Sequence, residues 1–269
     1  MYRLIAADMD DTLLDQHGEL TQRTVDAIKK AMAAGAYMIL ASGRMLESIA
    51  PYADRIGVNG PIIGYNGALV YDLAADRAIS RNVIPRGTAK GVLKMAREHG
   101  IYVQAYPGKG YFAQFRTDYT GAYEKSIGVE CTITNEPLDE FIDSDCVKLL
   151  MIGEKEKTLE RIDMFSKAFP DVSFMMSRPH YIEVVARGID KAAALEAAAK
   201  ALGVTREETI AFGDGQNDLS MIAYAGKGYC MANATEGVKA QCGLFAPSNA
   251  EDGCAQVIED LLAEGKIGG

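Results

Sequence analysis

No run of apolar residues in this chain approaches the ~20 needed to cross a bilayer, so nothing in it reads as a membrane span. Cysteine is sparse and badly spaced for shared chemistry. Cys131, Cys146, Cys230, Cys242 and Cys254 are odd in number and form no CxxC pair. That argues against a disulfide framework or a zinc site and for reduced thiols. Positive charge is short as well: 28 Lys and Arg stand against 37 Asp and Glu, a net −9 with no basic cluster. A nucleic-acid partner needing many phosphate contacts is therefore not expected, while a small anionic substrate would need local positive charge. Only three histidines occur, His17, His99 and His180, and they read as surface or packing residues. The opening Met1-Tyr2-Arg3 runs into an apolar strand rather than a signal-peptide core, so a cytoplasmic location is expected. Oligomeric state leaves no signature.

What is present is an ordinary globular composition, 269 residues that are 48% hydrophobic and 24% charged, enough for one large domain or two modest ones. The stretch Asp8-Met9-Asp10-Asp11-Thr12-Leu13-Leu14 stands out, because it sets three carboxylates directly after the apolar run Leu4 to Ala7. Two carboxylates about 4 Å apart repel by roughly 4 kcal/mol at an effective dielectric near 20. Unless they splay into water, a cation is needed between them.

The first third of the chain alternates in a βα rhythm. Strands are expected at Arg3 to Asp8, Tyr37 to Ala41 and within Pro61 to Tyr71 around an Asn66-Gly67 turn. An amphipathic helix, Thr21 to Ala34, carries Val25, Ile28, Ala31 and Met32 on one face and stops at Gly35. A second helix follows Ser42-Gly43-Arg44. From about residue 84 to 187 the pattern becomes mixed, with hairpin-like strands, three helices and most of the Tyr and Phe. The first rhythm then returns, with an Ala-rich helix from Asp190, a strand at Thr209 to Phe212 and a final helix over 250–263. The expected architecture is an α/β fold: a Rossmann-like parallel-sheet core over 1–83 and 188–269, with an inserted α+β domain over 84–187.

In open parallel sheets, ligands bind outside the carboxyl ends of the strands. Asp8 and Asp10, then Ser42, then Asp214, Asn217 and Asp218 fall at the ends of three strands. Helix capping is the ordinary explanation for any one of them, but Asp8 to Asp11 precedes its expected helix by about ten residues, too far to cap it. Mg²⁺ takes oxygen ligands, usually one or two carboxylates plus waters and phosphate oxygens. Asp8 and Asp214 could supply carboxylates, with a backbone carbonyl near Asp10. A carboxylate beside both metal and phosphorus can act as a nucleophile, and Ser42-Gly43 offers a hydroxyl and N–H groups to phosphate oxygens. Lys191 by itself would be an ordinary solvated lysine; only its company makes it a candidate phosphate clamp.

Four ordered stretches, DMDDTLL (8–14), Ser42-Gly43-Arg44, Gly188-Ile189-Asp190-Lys191 and GDGQNDLSMI (213–222), resemble the motifs of the haloacid dehalogenase-like phosphatases. The sequence is most similar to the Cof-type sugar-phosphate phosphatase group, and the likeness extends to ANATEGVKAQC (232–242) and SNAEDG (248–253). The resemblance implies a C2B-type cap between the second and third motifs, with the cap setting the substrate. It implies Asp8 as nucleophile and Asp10 as general acid and base. It implies Mg²⁺ held by the Asp8 carboxylate, the Asp10 carbonyl and Asp214, with Asp218 in or near that set, and a phosphoryl group held by Ser42, Gly43, Lys191 and Asn217. The implied activity is Mg²⁺-dependent hydrolysis of small phosphorylated metabolites such as sugar phosphates. A phosphomutase would call for a basic cap able to hold a bisphosphate, which is not visible. A non-catalytic sugar-phosphate-binding regulator would have no need of Asp10.

Overall fold

The computed structural model describes residues 1–269. β1 (Leu4–Ala7) is buried along its whole length, as a central parallel strand requires. A single wide turn, Met9–Leu13, follows it at once, broken by the non-helical Asp10 (ψ 129°) and Asp11 (φ 58°). The turn is irregular, and the Asp8 side chain makes no capping bond to it. α1 (Gln22–Ala33) begins where the Thr21 hydroxyl accepts from Thr24 N, and it buries Val25, Ala27, Ile28 and Ala31. β2 (Tyr37–Leu40) and α2 (Leu46–Ile56) come next, then β3 (Ile62–Gly64), β4 (Leu69–Asp72) and β5 (Arg77–Arg81) as a small sheet. The Asn66-Gly67 turn does join β3 to β4, through two left-handed residues, Tyr65 and Asn66.

The chain then builds α3 (Arg86–Glu98), β6 (Tyr102–Tyr106), β7 (Phe112–Ala113), α4 (Asp118–Ile127), β8 (Thr132–Ile133) and α5 (Leu138–Phe141). β9 (Lys148–Ile152), α6 (Thr158–Ala168), β10 (Val172–Arg178) and β11 (Tyr181–Ala186) complete a six-stranded sheet in the order β10-β11-β9-β6-β7-β8. Finally come α7 (Lys191–Leu202), β12 (Thr209–Gly213), α8 (Leu219–Tyr224), β13 (Lys227–Met231), α9 (Glu236–Lys239), β14 (Phe245–Ala246) and α10 (Gly253–Ala263).

Two compact units result, residues 1–80 with 190–269, and residues 81–189. The first holds a parallel sheet in the order β14-β13-β12-β1-β2. Alternation along each strand feeds two layers. Ile5, Ala7, Met38, Leu40, Ile210 and Phe212 face α1, α2 and α10, whereas Leu4, Ala6, Ile39 and Ala211 face α7 and α8. The second unit packs Ala105, Leu149, Met151, Ile182 and Val184 against α3 and α6. No helix is long and apolar enough to cross a membrane.

Candidate active site

Strand register brings the first motif to the fourth. Ala7 pairs with Phe212 of β12 on one side and Leu40 of β2 on the other, so the next residues along each strand, Asp8, Gly213 and Ala41, emerge at one level. The sheet order reverses at this place: β2 lies on one side of β1, and β12, β13 and β14 lie on the other. Such a switch point leaves a crevice at the carboxyl ends of the strands. Asp8, Asp214 and Asp218 meet there, with one carboxylate oxygen from each lying within 4.8 Å of the others. Gly213 makes room for this, since a Cβ at that position would collide with the Asp218 side chain.

Lys191 enters from α7. It is the first residue of a helix whose N-cap, Asp190, accepts from Ala193 N at 2.8 Å. Helical side chains lean toward the N-terminus, which sends this one back to the strand ends. Its Nζ donates to Asp8 Oδ1 and to Asp218 Oδ1, both at 2.5 Å. Lys191 is not the ordinary solvated lysine that it would be in isolation: it is 0% exposed. Burial opposes its charge, but the two carboxylates outweigh that and hold its pKa up. Asp218 is fully engaged, because its second oxygen accepts from Asp214 N (3.1 Å) and Gly215 N (2.9 Å).

The charges do not balance. Three carboxylates face one ammonium, a formal excess of two negative charges in a largely buried space. The strain shows in the acids: burial pushes Asp8 well above the usual carboxylate range, with Asp218 and Asp214 adding to it and Lys191 opposing. Asp214 is pushed up to about 6 by burial, with Asp218 and Asp11 adding, against a hydrogen bond from Thr12 Oγ1 (2.8 Å). The sequence reading gave Thr12 no role, though its place in DMDDT was the available signal.

Asp10 stands apart from this cluster. Arg44 grips it in a fork, Nε to Oδ2 at 2.9 Å and Nη2 to Oδ1 at 2.6 Å. Arg44 therefore pairs with an acid. Ser42 is buried, and its hydroxyl oxygen accepts from Arg44 N at 3.2 Å. Asn217 Nδ2 donates to Asn66 Oδ1 at 2.9 Å, and a Cβ on Gly43 would come within 3.1 Å of the same Asn66 amide. The Ser42 carbonyl also accepts from Asn66 N at 3.0 Å, so Ser42, Gly43 and Asn217 are gathered around Asn66, a residue legible beforehand only as a turn former.

An acidic strand end, a following Ser-Gly turn, a buried lysine and a Gly-Asp-Gly loop all lie within residues 5–258, which match the family model for haloacid dehalogenase-like hydrolases. The chain belongs to the haloacid dehalogenase-like hydrolases. Among solved structures, a haloacid dehalogenase-like hydrolase from Bacteroides thetaiotaomicron superposes with a TM-score of 0.90 at 31% identity, covering 97% of this chain and 100% of the other. A Bacillus subtilis 5-amino-6-(5-phospho-D-ribitylamino)uracil phosphatase is 29% identical over 95% of this chain and 94% of its own length. An Escherichia coli pyridoxal phosphate phosphatase is 26% identical over 97% and 98%.

For this haloacid dehalogenase-like chain a divalent cation is the natural test of the cluster, and the residues fit one. All donors are oxygen, as a hard cation requires, and the charge excess matches. Asp10 leaves helical geometry, and the next amides bond elsewhere, Leu14 N to Met9 O and Asp15 N to Glu19 O. Its carbonyl is thereby kept out of helical bonding. The tyrosines of the second unit have partners inside that unit. Tyr106 and Tyr111 are fully buried and stacked at 5.3 Å, Tyr102 bonds Thr120 at 2.7 Å, and Tyr181 is buried with Arg178 over its ring. These tyrosines pack the unit's interior.

Proposed function

We propose that this chain is a Mg²⁺-dependent phosphoric monoester hydrolase acting on small phosphorylated metabolites through an aspartyl-phosphate on Asp8. The observation that carries the reading is the set of three carboxylates, two of them buried, with one buried lysine at the sheet's switch point. Mg²⁺, when bound, offsets the charge of the cluster and of the transferring phosphoryl group. Asp8, Asp214 and the Asp10 carbonyl would hold it, with Asp218 supporting through Lys191 and the 214–215 amides. The Ser42 hydroxyl, Gly43 N–H, Lys191 and Asn217 would bind the phosphoryl oxygens.

In the first step an Asp8 oxygen attacks phosphorus, the bond to the leaving oxygen breaks, and Asp10 gives that oxygen its proton. In the second, the Asp10 carboxylate takes a proton from water as the water oxygen attacks phosphorus, freeing Asp8 and phosphate. Since Arg44 occupies both Asp10 oxygens, Asp10 must release part of that fork to reach the leaving group. The two relatives named above act on esters of a ribityl chain and of pyridoxal, and sugar or polyol monoesters are the proposed class here. Five free thiols suit a cytoplasmic setting.

The test is phosphate release from a panel of hexose phosphates, pyridoxal phosphate, FMN and nucleotides, with Mg²⁺ and with EDTA. Release that depends on Mg²⁺ is expected. Release equal under both conditions, or none from any ester including p-nitrophenyl phosphate, would overturn the reading.

A further inference from the structure

The late stretches ANATEGVKAQC and SNAEDG belong to the family likeness, yet none of the steps above uses them. In the fold they converge on the wide turn that carries Asp10. Asn233, just after β13, donates through Nδ2 to the Asp11 carbonyl at 2.7 Å. Its own Oδ1 accepts from Asn249 N at 3.0 Å. Asn249, which is buried, donates through Nδ2 to the Leu14 carbonyl at 2.9 Å. Between those two points Cys254 places its thiol 3.7 Å from the Thr12 carbonyl. Three backbone carbonyls of one short loop are thus met from the C-terminal part of the chain.

The loop needs outside support. Asp11 sits at φ 58°, ψ 9°, a left-handed conformation that costs energy for a residue with a Cβ and persists where surroundings over-determine it. Asp10, immediately before it, is extended at ψ 129°. Released, Asp11 would leave the left-handed region, which would rotate the Asp10 carbonyl and shift Thr12 from Asp214. Asn233 grips the carbonyl of the strained residue itself, and Asn249 fixes the loop's exit.

We infer that Asn233 and Asn249 are positioning residues that hold the Asp8–Leu14 loop in its non-helical form and so set the placement of Asp10 and Thr12. This rests on the proposed phosphatase reading. Its chemical logic is that a hydrogen-bonded pair of amides keeps a catalytic loop in register, and small displacements of reacting groups cost up to about 100-fold in rate.

The experiment compares wild type, Asn233→Ala and Asn249→Ala in p-nitrophenyl phosphate hydrolysis over a Mg²⁺ series. It also measures the Mg²⁺-induced shift in melting temperature without substrate. For Asn233→Ala, an exposed side chain whose loss leaves the core untouched, kcat should fall about 10- to 100-fold with KM within about threefold. More Mg²⁺ should be needed for half-maximal rate, and the Mg²⁺-induced melting shift should shrink while the metal-free melting temperature stays close to wild type. Asn249→Ala should show the same pattern with a lower melting temperature; if it does not fold, Asn233→Ala carries the test. An Asn233→Ala enzyme with wild-type kcat and Mg²⁺ dependence overturns the inference. So does a loss of rate that follows melting temperature alone and disappears on cooling. Failure of wild type to release phosphate would instead count against the parent reading.

Discussion

Each of the two units buries a lysine, and the two lysines are surrounded differently. In the 81–189 unit, Lys148 lies 3.1 Å from Glu183 and 4.6 Å from the centre of the Tyr106 ring. One positive charge meets one negative charge, inside a network that continues through Tyr106, Gln104, Tyr102 and Thr120. In the other unit Lys191 meets Asp8 and Asp218, with Asp214 beside them. A balanced buried pair is complete as folded. An unbalanced one has capacity for another cation, and that difference distinguishes packing from chemistry more clearly than burial does.

The largest effect expected is on turnover. Asp8→Asn removes the nucleophile's charge at constant size, and kcat should drop by more than about 10⁴-fold with the circular dichroism spectrum unchanged. Loss of only a few-fold would show that the unbalanced cluster is not where chemistry occurs. The next test separates the lysines directly. Lys148→Met leaves Glu183 buried and uncompensated, which should destabilise the protein by about 3–5 kcal/mol, and Mg²⁺ should not restore it. Lys191→Met should likewise lower metal-free stability, but Mg²⁺ should recover much of the loss. Equal Mg²⁺ responses in the two variants would erase the distinction.

Mg²⁺ itself gives a smaller effect. Binding only to the folded state, it should stabilise wild type by about 2.7 kcal/mol at a hundred times Kd, read as a rise in melting temperature. In Asp214→Asn that rise should shrink, while the metal-free form melts no lower than wild type, because some repulsion has gone with the ligand. Asp11→Asn should keep the rise nearly whole. The smallest effect concerns thiols. Burial pushes Cys146 up to about 12 and Cys131 up to about 11, with the nearby acids Asp145 and Glu124 adding. At pH 8 both should label with a disulfide reagent far more slowly than the partly exposed Cys242. Rapid labelling of Cys146 would indicate that its unit opens readily.

Most elements were legible because their signals are local. Thr21 followed by apolar residues at helical spacing, with a stop at Gly35, marked α1. The elements not foreseen, β5, β8, α5 and α9, are short and largely exposed, so no apolar period marks them. The three strand ends carrying Asp8, Ser42 and Asp214 were also visible, since a parallel sheet puts chemistry at its carboxyl edge.

By itself, then, the sequence determined which residue types could meet: carboxylates after apolar runs, a Ser-Gly turn, a lysine opening a helix. Tertiary structure alone decided the states of those groups. Register between β1 and β12 set Asp8 beside Asp214, and the N-terminal lean of a helical side chain drove Lys191 out of water and between two acids. The same long-range packing gave Arg44 to Asp10, and Asn233 to a strained carbonyl. Charge balance and hydrogen-bond partners depend on residues from 27 to 222 positions apart, and no local period in a chain records such distances.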